Sequence, residues 1–188
     1  MMGALRGILS GAALVLCSQA TLAGAWVMAG RVVHVADGDT LTLLLPDRTQ
    51  TTIRLSDIDS PESGSKGRPG QPYSHAAKQS LLALVKGQEA SATCYEHDRW
   101  DRAVCTVSIN GLDVNAQQLR LGMAWVNGAS RRYVRNPRSY DLAAQAQAAR
   151  IGLWAGQGAQ QPVPPWEWRQ RCWKQGDCEG AYAPENSR

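Results

Sequence analysis

The sequence predicts an α+β fold in which about five β-strands form a small barrel that carries about three helices. β-rich runs open the folded part of the chain, a hairpin follows an inserted helix, and two further helices come after the hairpin. The chain has 188 residues, of which 44% are hydrophobic and 19% are charged, as is typical of one globular domain with a single core. Its formal net charge of +4 permits a polyanionic partner without requiring one.

Residues 1–25 have the layout of a secretory signal peptide and are not expected to belong to the fold. Arg6 precedes an apolar run over residues 8–17, and small residues at 23–25 provide a cleavage site. We therefore expect cleavage after Ala25 and an exported protein, either periplasmic or extracellular. The less favoured alternative is an uncleaved membrane anchor, since no charge lies between Arg6 and Arg31.

The rest of the chain is expected to form one domain over residues 26–160 and a partly irregular extension over residues 161–188. The extension is rich in Pro, Trp and Cys, and its stretch PPWEWRQRCW suits an interaction segment. We expect no transmembrane segment in the mature chain, which should be a monomer without a stable protein partner.

Three strands are predicted before the first helix. Residues 26–45, WVMAGRVVHVADGDTLTLLL, form two β-rich runs that an Asp37-Gly38 turn separates. A Pro-Asp-Arg turn leads into TQTTIRL, where Ile53 and Leu55 alternate with polar residues. A loop rich in Gly, Pro and Ser follows Pro61, and an amphipathic helix over residues 73–87 comes next.

The second half of the chain adds a hairpin and two helices. Residues 90–96 and 103–109 pair around the polar tip HDRWDR. A short helix has Asp113 as its candidate N-cap, and the last helix opens with Asn136-Pro137 and ends at Gly152. An OB-like barrel satisfies this order of strands and helices.

Four cysteines remain once the signal peptide is removed, and an even number in an exported protein predicts two disulfides. Three pairings are possible. We favour the two local pairs, Cys94–Cys105 and Cys172–Cys178, because each spans a plausible turn. A zinc site is disfavoured, since the chain lacks a Cys-x-x-Cys motif and its histidines are scattered.

Carboxylates concentrate in VADGDT and RLSDIDSPE, two fragments that contain five acidic side chains within residues 35–62. Unpaired charges of one sign repel each other, so this density indicates a site for a hard cation such as calcium. Asp39 and Asp59 are the natural anionic ligands, and Asp37 and Asp57 are reserve candidates. The alternative is that Asp-Gly-Asp forms a plain turn.

Two arginines and a glutamate favour the site over the turn. Arg54 lies on the strand that leads into the second acidic fragment, and Arg102 closes the hairpin tip. A pair of guanidinium groups beside a metal and its carboxylates would bind a phosphate. Glu62, at the start of the loop, could activate a water for metal-assisted phosphodiester hydrolysis. Alternatively, each arginine pairs with a surface aspartate and Glu62 is a solvated loop residue.

The combination VADGDT, IRLSDIDSPE, DRWDR, GLDVNAQQLRLGMAW, RRY and ARIGLWA resembles the staphylococcal nuclease-like, or thermonuclease, family over residues 30–155. The resemblance implies a five-stranded OB-fold barrel with three helices and one bound Ca²⁺. It also implies a calcium-dependent nuclease that cleaves both DNA and RNA and leaves 3′-phosphate ends.

The same resemblance implies a role for each site residue. It places calcium on the carboxylates of Asp39 and Asp59 and on the backbone carbonyl of Ser60, with Asp37 as an acidic neighbour. It makes Glu62 the general base. The phosphate-binding arginines would be Arg54 and Arg102.

Some positions depart from the family pattern. Trp100 stands where a tyrosine is usual beside the nucleotide, and Asp101 replaces a turn glycine. Tyr133 is a candidate member of the nucleotide pocket, and the basic side chains of Arg131 and Arg132 could follow a nucleic-acid backbone. Two other functions compete with the nuclease: a non-catalytic OB-type nucleic-acid-binding module and a calcium-binding structural protein of the envelope.

Overall fold

A computed structural model describes residues 24–65, 67–128, 131–156 and 162–181. Nearly all of the predicted signal peptide therefore lies outside the described residues. Within them, no helix combines the length and the apolar character that are needed to cross a membrane.

Five strands close a barrel of mixed direction, which confirms the predicted α+β fold. The strands are β1 (Trp26–Asp37), β2 (Thr40–Leu44), β3 (Gln50–Leu55), β5 (Glu89–His97) and β6 (Ala103–Ile109). Antiparallel pairing gives the order β3-β2-β1-β5-β6, and parallel pairing of β3 with β6 completes the circle. Short strands β4 (Ile58–Asp59) and β8 (Trp125–Val126) pair with each other outside the barrel, and β7 (Leu112–Asp113) extends β6.

Alternation of side chains along the strands places the core inside the barrel. Leu41 and Leu43 on β2 and Ile53 on β3 are completely buried, and each such side chain stabilises the fold by roughly 1.5–3 kcal/mol. The predicted disulfide Cys94–Cys105 is present and links directly opposed residues of β5 and β6. Closure of a loop of this size stabilises by about 3 kcal/mol in the chain-entropy account.

Three main helices pack around the barrel: α1 (Ser74–Val85), α2 (Val114–Arg120) and α3 (Arg138–Ala148). The predicted N-cap of α2 is confirmed, because the Asp113 carboxylate accepts the Ala116 N–H at 2.9 Å. Two 3₁₀ segments, Arg131–Tyr133 and Gly152–Ala155, flank α3.

The C-terminal extension folds back onto the domain. It contains α4 (Pro165–Trp168) and the π-helical segment Arg169–Lys174, followed by the predicted disulfide Cys172–Cys178. Trp168 is completely buried, which is rare for so large a side chain and fixes this end of the chain against the domain. The extension also contacts the loop that follows Glu62, through Val163 and Trp173.

Candidate active site

The first carboxylate of the site is held at the turn between β1 and β2. Asp39 is 4% exposed, and its carboxylate accepts the Ser60 N–H at 2.7 Å and the Thr40 hydroxyl at 3.0 Å. Gly38 makes this close approach possible, because a Cβ there would lie 2.7 Å from the Ala77 Cβ and 2.8 Å from the Ser60 Cβ. The Asp-Gly-Asp sequence therefore forms a turn and also delivers a carboxylate into the fold.

Arg54 brings the two predicted metal ligands together. One terminal nitrogen of its guanidinium contacts Asp39 Oδ2, and the other contacts Asp59 Oδ1 at 2.8 Å. A guanidinium is a rigid fork, so carboxylates on its two terminal nitrogens are near neighbours. The structure thus places Asp39, Asp59 and Arg54 at one point, although their chain segments are distinct.

Glu62 is joined to this cluster by Arg169, a residue to which the sequence analysis assigned no role. Arg169 donates to Glu62 Oε1 at 2.5 Å and to the two carboxylate oxygens of Asp59 at 2.8 and 3.2 Å. Arg169 belongs to the C-terminal extension, 107 positions from Glu62. The only sequence signal was the Trp- and Cys-rich composition around it, which indicates a contact segment but does not identify the partner.

The charged groups of the site shift each other's pKa values. Burial opposes ionisation of Asp39, but Arg54 and hydrogen bonds from Asp37 and Ser60 outweigh it and lower the pKa of Asp39. Burial and the negative charge of Asp39 raise the pKa of Asp37 well above its usual range. Burial and Asp39 also raise the pKa of Glu62, although Arg169 acts in the opposite direction.

Arg54 keeps its charge despite its surroundings. Burial alone would lower the pKa of the guanidinium, but Asp39, Asp59 and Asp37 together raise it. A permanent positive charge at this position partly neutralises the carboxylates and leaves the cluster with a net negative charge.

Asp57, a reserve candidate for the metal, has a different position and role. Its carboxylate accepts the backbone N–H groups of Arg135 and Asn136 at 2.9 and 2.8 Å and the Ser139 hydroxyl at 3.3 Å. These contacts hold the start of α3. The reserve role is therefore wrong: the Asp57 side chain points to a helix N-terminus, where a negative charge is favourable.

Arg102 lies at the edge of the site. Its guanidinium pairs with Asp98 at 2.6 Å, and one nitrogen is 3.4 Å from the Thr40 hydroxyl, which itself donates to Asp39. Arg102 is thus one side chain away from the carboxylates.

The hairpin tip presents an aromatic surface beside Arg102. Trp100 is 60% exposed, and the guanidinium carbons of Arg99 and Arg102 lie 3.9 and 5.0 Å from its ring centroid. Asp101 adopts a left-handed conformation with φ of 61°, as expected of a residue in a glycine position. The substitution for glycine thus leaves the turn intact.

The remaining predicted substrate contacts lie on the 3₁₀ segment before α3. Arg131 stacks over Tyr140 with 5.6 Å between the guanidinium carbon and the ring centroid. Tyr133 is half-buried on the same segment. The side chain of Arg132 lies outside what the structure describes, so its predicted role stays a prediction.

The residues of the cluster fit a hard divalent cation that takes further oxygen ligands besides these carboxylates. Within the described part of the chain, no three Asp, Glu, His or Cys side chains form a metal site by themselves. Asp39 and Asp59 nevertheless supply neighbouring carboxylates, and the buried Ser60 Oγ has no hydrogen-bond partner among the described residues. An oxygen-only set of this kind suits calcium, whose six to eight ligands can include carbonyls and water.

Barrel and cluster together define a class of protein: an OB-type barrel with a buried acidic pair, a bridging arginine and a loop glutamate on one side. A family model described as staphylococcal nuclease homologue matches residues 52–156, which is more than half of the 188-residue chain. The chain belongs to this staphylococcal nuclease-like family.

Individual relatives agree with the family match. An uncharacterized endonuclease of Escherichia coli O157:H7 is 35% identical over 143 residues, which cover 76% of this chain and 85% of that protein. A micrococcal nuclease of Shigella flexneri is 34% identical over 152 residues, covering 74% of this chain and 79% of that protein.

A probable staphylococcal-like nuclease of Oryza sativa subsp. japonica is 39% identical over 117 residues, covering 62% of this chain. The match spans only 32% of the rice protein, and a match to an uncharacterized 38.1 kDa protein of Capnoides sempervirens spans 31% of that protein. The chain therefore matches about a third of the length of these plant relatives.

Proposed function

We propose that the protein is a calcium-dependent nuclease that hydrolyses phosphodiester bonds of both DNA and RNA and leaves 3′-phosphate ends. The observation that carries the proposal is the contact of Arg54 with both Asp39 and Asp59, beside Glu62. A binding module would have little use for a buried acidic pair next to a glutamate with a raised pKa, whereas a hydrolase needs such groups.

Asp39, Asp59 and the Ser60 carbonyl would hold the calcium ion, which would polarise a phosphate oxygen when bound. Glu62 accepts a proton from the attacking water, and its raised pKa brings it closer to the working pH of a general base. Arg54 donates to non-bridging phosphate oxygens. Arg102, released from Asp98, stabilises negative charge on the phosphate and on the leaving oxygen.

The surroundings of the site suit a long polyanion. Trp100 offers an exposed ring on which a base or sugar can stack, and such stacking contributes about 1–3 kcal/mol. Arg131 adds positive charge near the start of α3, where it can follow a sugar-phosphate backbone without reading its sequence. We include export to the periplasm or the extracellular space in the proposal, because both disulfides suit an oxidising compartment.

The proposal is tested by incubating the purified mature protein with plasmid DNA and with RNA, in calcium and in chelator. Calcium-dependent degradation of both substrates and 3′-phosphate product ends are expected. Glu62→Gln should reduce the rate by about 10²–10⁴-fold. Glu89→Gln is the matched control, because Glu89 is exposed on β5 and should leave the rate unchanged.

The outcomes separate the competing functions. Binding of nucleic acid without degradation would favour the non-catalytic module. Calcium binding without either activity would favour the structural protein of the envelope. Equal rates in calcium and in chelator would remove calcium from the mechanism.

A further inference from the structure

The C-terminal extension places a guanidinium directly on the carboxylates of the candidate active site. Arg169 contacts both oxygens of Asp59, at 2.8 and 3.2 Å, and one oxygen of Glu62, at 2.5 Å. Two of the three acidic groups proposed for metal binding and catalysis are thus engaged by one side chain. That side chain lies outside the matched family region, which ends at residue 156.

The position of Arg169 is fixed by the whole segment that carries it. Trp168, its immediate neighbour, is completely buried, and Cys172 is joined to Cys178. The indole N–H of Trp173 donates to the Pro69 carbonyl at 3.1 Å. Arg169 therefore reaches the site from a backbone that is packed and cross-linked, so little conformational entropy opposes the contact.

The other end of the segment contacts the same loop and the residues that follow β8. The side-chain amide of Gln71 donates to the Val163 carbonyl, and its oxygen accepts the Glu62 N–H at 3.2 Å. The ring of Trp166 lies against Gly128, where an added Cβ would be 2.9 Å from it. The segment and the loop that carries Glu62 thus pack together.

This contact is incompatible with the proposed work of the two carboxylates. A guanidinium stays protonated in proteins, so Arg169 always presents a positive charge to Asp59. A calcium ion on Asp59 would meet that positive charge. The Glu62 oxygen that accepts from Arg169 is also not free to take a proton from a water. The guanidinium and the metal need the same oxygens.

We propose that Arg169 is a built-in competitor of the divalent cation, and that the C-terminal extension is an autoinhibitory strap. The strap holds the site closed at low calcium, and calcium together with the substrate phosphate displaces the Arg169 side chain from Asp59 and Glu62. This inference rests on the proposed calcium-dependent function.

The test is isothermal titration calorimetry of calcium into the full mature protein. Arg169→Gln should bind calcium about tenfold more tightly than the unmodified protein, the factor that corresponds to the loss of one charge-assisted pair. Arg171→Gln is the matched control: it removes the same charge two positions away, where Arg171 pairs with Asp177 at 3.4 Å. This control should bind calcium as the unmodified protein does.

Thermal unfolding shows whether the variant is folded and reports the same competition independently. Loss of Arg169 leaves Glu62 and Asp59 less well neutralised, so calcium should raise the Tm of Arg169→Gln by more than it raises the Tm of the other two proteins. Nuclease assays should show that Arg169→Gln needs about tenfold less calcium for half-maximal rate, with the same rate at saturation.

Each contrary result has a distinct meaning. Equal calcium affinity in Arg169→Gln and Arg171→Gln would overturn the strap and leave the calcium-dependent nuclease intact. Weaker binding, or a lower rate at saturating calcium in Arg169→Gln alone, would show that Arg169 assists the reaction. Absence of calcium binding by all three proteins would overturn the proposed function and the strap with it.

Discussion

Asp57 and Asp59 are two residues apart and equally buried, each 3% exposed, yet their bonding partners differ. Asp57 receives backbone N–H groups and holds the start of α3. Asp59 receives side-chain cations, Arg54 and Arg169. The comparison teaches that the bonding partner, and neither residue type nor burial, separates a structural carboxylate from a candidate functional one. The Asp57 carboxylate is satisfied by the backbone and belongs to the fold, whereas the Asp59 carboxylate faces the side-chain cations of the candidate site.

The strongest test of the comparison is Asp59→Asn, which keeps the shape of the side chain and removes its charge. We expect the nuclease rate to fall by about 10²–10³-fold, because losing one preorganised group that stabilises the charge of the transition state typically costs this much. The protein should stay folded, as circular dichroism and thermal unfolding would show. A variant with normal turnover would place Asp59 with Asp57 among the structural residues.

Substitution of Arg102 tests whether a cation at the edge of the site takes part in the reaction. Arg102→Ala should lower the rate by about two to three decades through loss of phosphate stabilisation. Arg99→Ala is the control, because Arg99 stacks on the same Trp100 ring. A similar rate in both variants would limit Arg102 to its pair with Asp98.

Asp57→Asn should have the opposite effect to Asp59→Asn, because it should lower stability and leave the rate nearly unchanged. Asparagine tolerates the left-handed backbone that Asp57 adopts, with φ of 68°, but it lacks the charge and one of the two acceptors. We expect a loss of about 1–2 kcal/mol in the free energy of unfolding, measured by urea denaturation. The rate per folded molecule should hardly change. A large loss of rate without loss of stability would contradict the structural role.

Asp37 extends the comparison to a carboxylate whose neighbour is another carboxylate, that of Asp39. Its pKa is raised in the folded state, so folding favours its protonated form, and the stability associated with Asp37 is lost as the pH rises through that pKa. Asp37→Asn mimics the protonated form. It should raise the Tm by about 2–4 °C at neutral pH in chelator.

The effect of Asp37→Asn should vanish at acid pH. Well below a pH of about 4, the ordinary pKa of aspartate, Asp37 is protonated in the folded and the unfolded chain alike. Scanning calorimetry at both pH values measures the difference. A Tm increase that persists in acid would mean that charge is not its cause.

Local patterns in the sequence were sufficient for much of the fold. Alternation over Ile53 and Leu55 located β3, Asp113 capped α2 as predicted, and each pair of nearby cysteines formed a disulfide. These features depend on residues that are close in the chain. Barrel closure is different, because the parallel pairing of β3 with β6 joins remote residues such as Ile53 and Ala103.

The candidate site was predicted less completely. Family motifs identified Asp39, Asp59, Glu62 and Arg54, and the structure gathers these side chains into one cluster. Motifs did not separate Asp57 from Asp59, because both stand in one acidic fragment and their difference lies in distant partners. Arg169 was not identified, because its partners are about a hundred positions away and no local pattern connects them.

The sequence by itself determined the elements of the barrel, the two cross-links and the kinds of group available for chemistry. Hydrophobic periodicity, turn residues and short cysteine spacings act over a few residues, so they can be recognised without coordinates. Only the tertiary structure decided which carboxylate faces a helix end, which faces a cation, and that Arg169 reaches the acidic cluster. Those outcomes depend on distances between remote segments, which packing alone establishes.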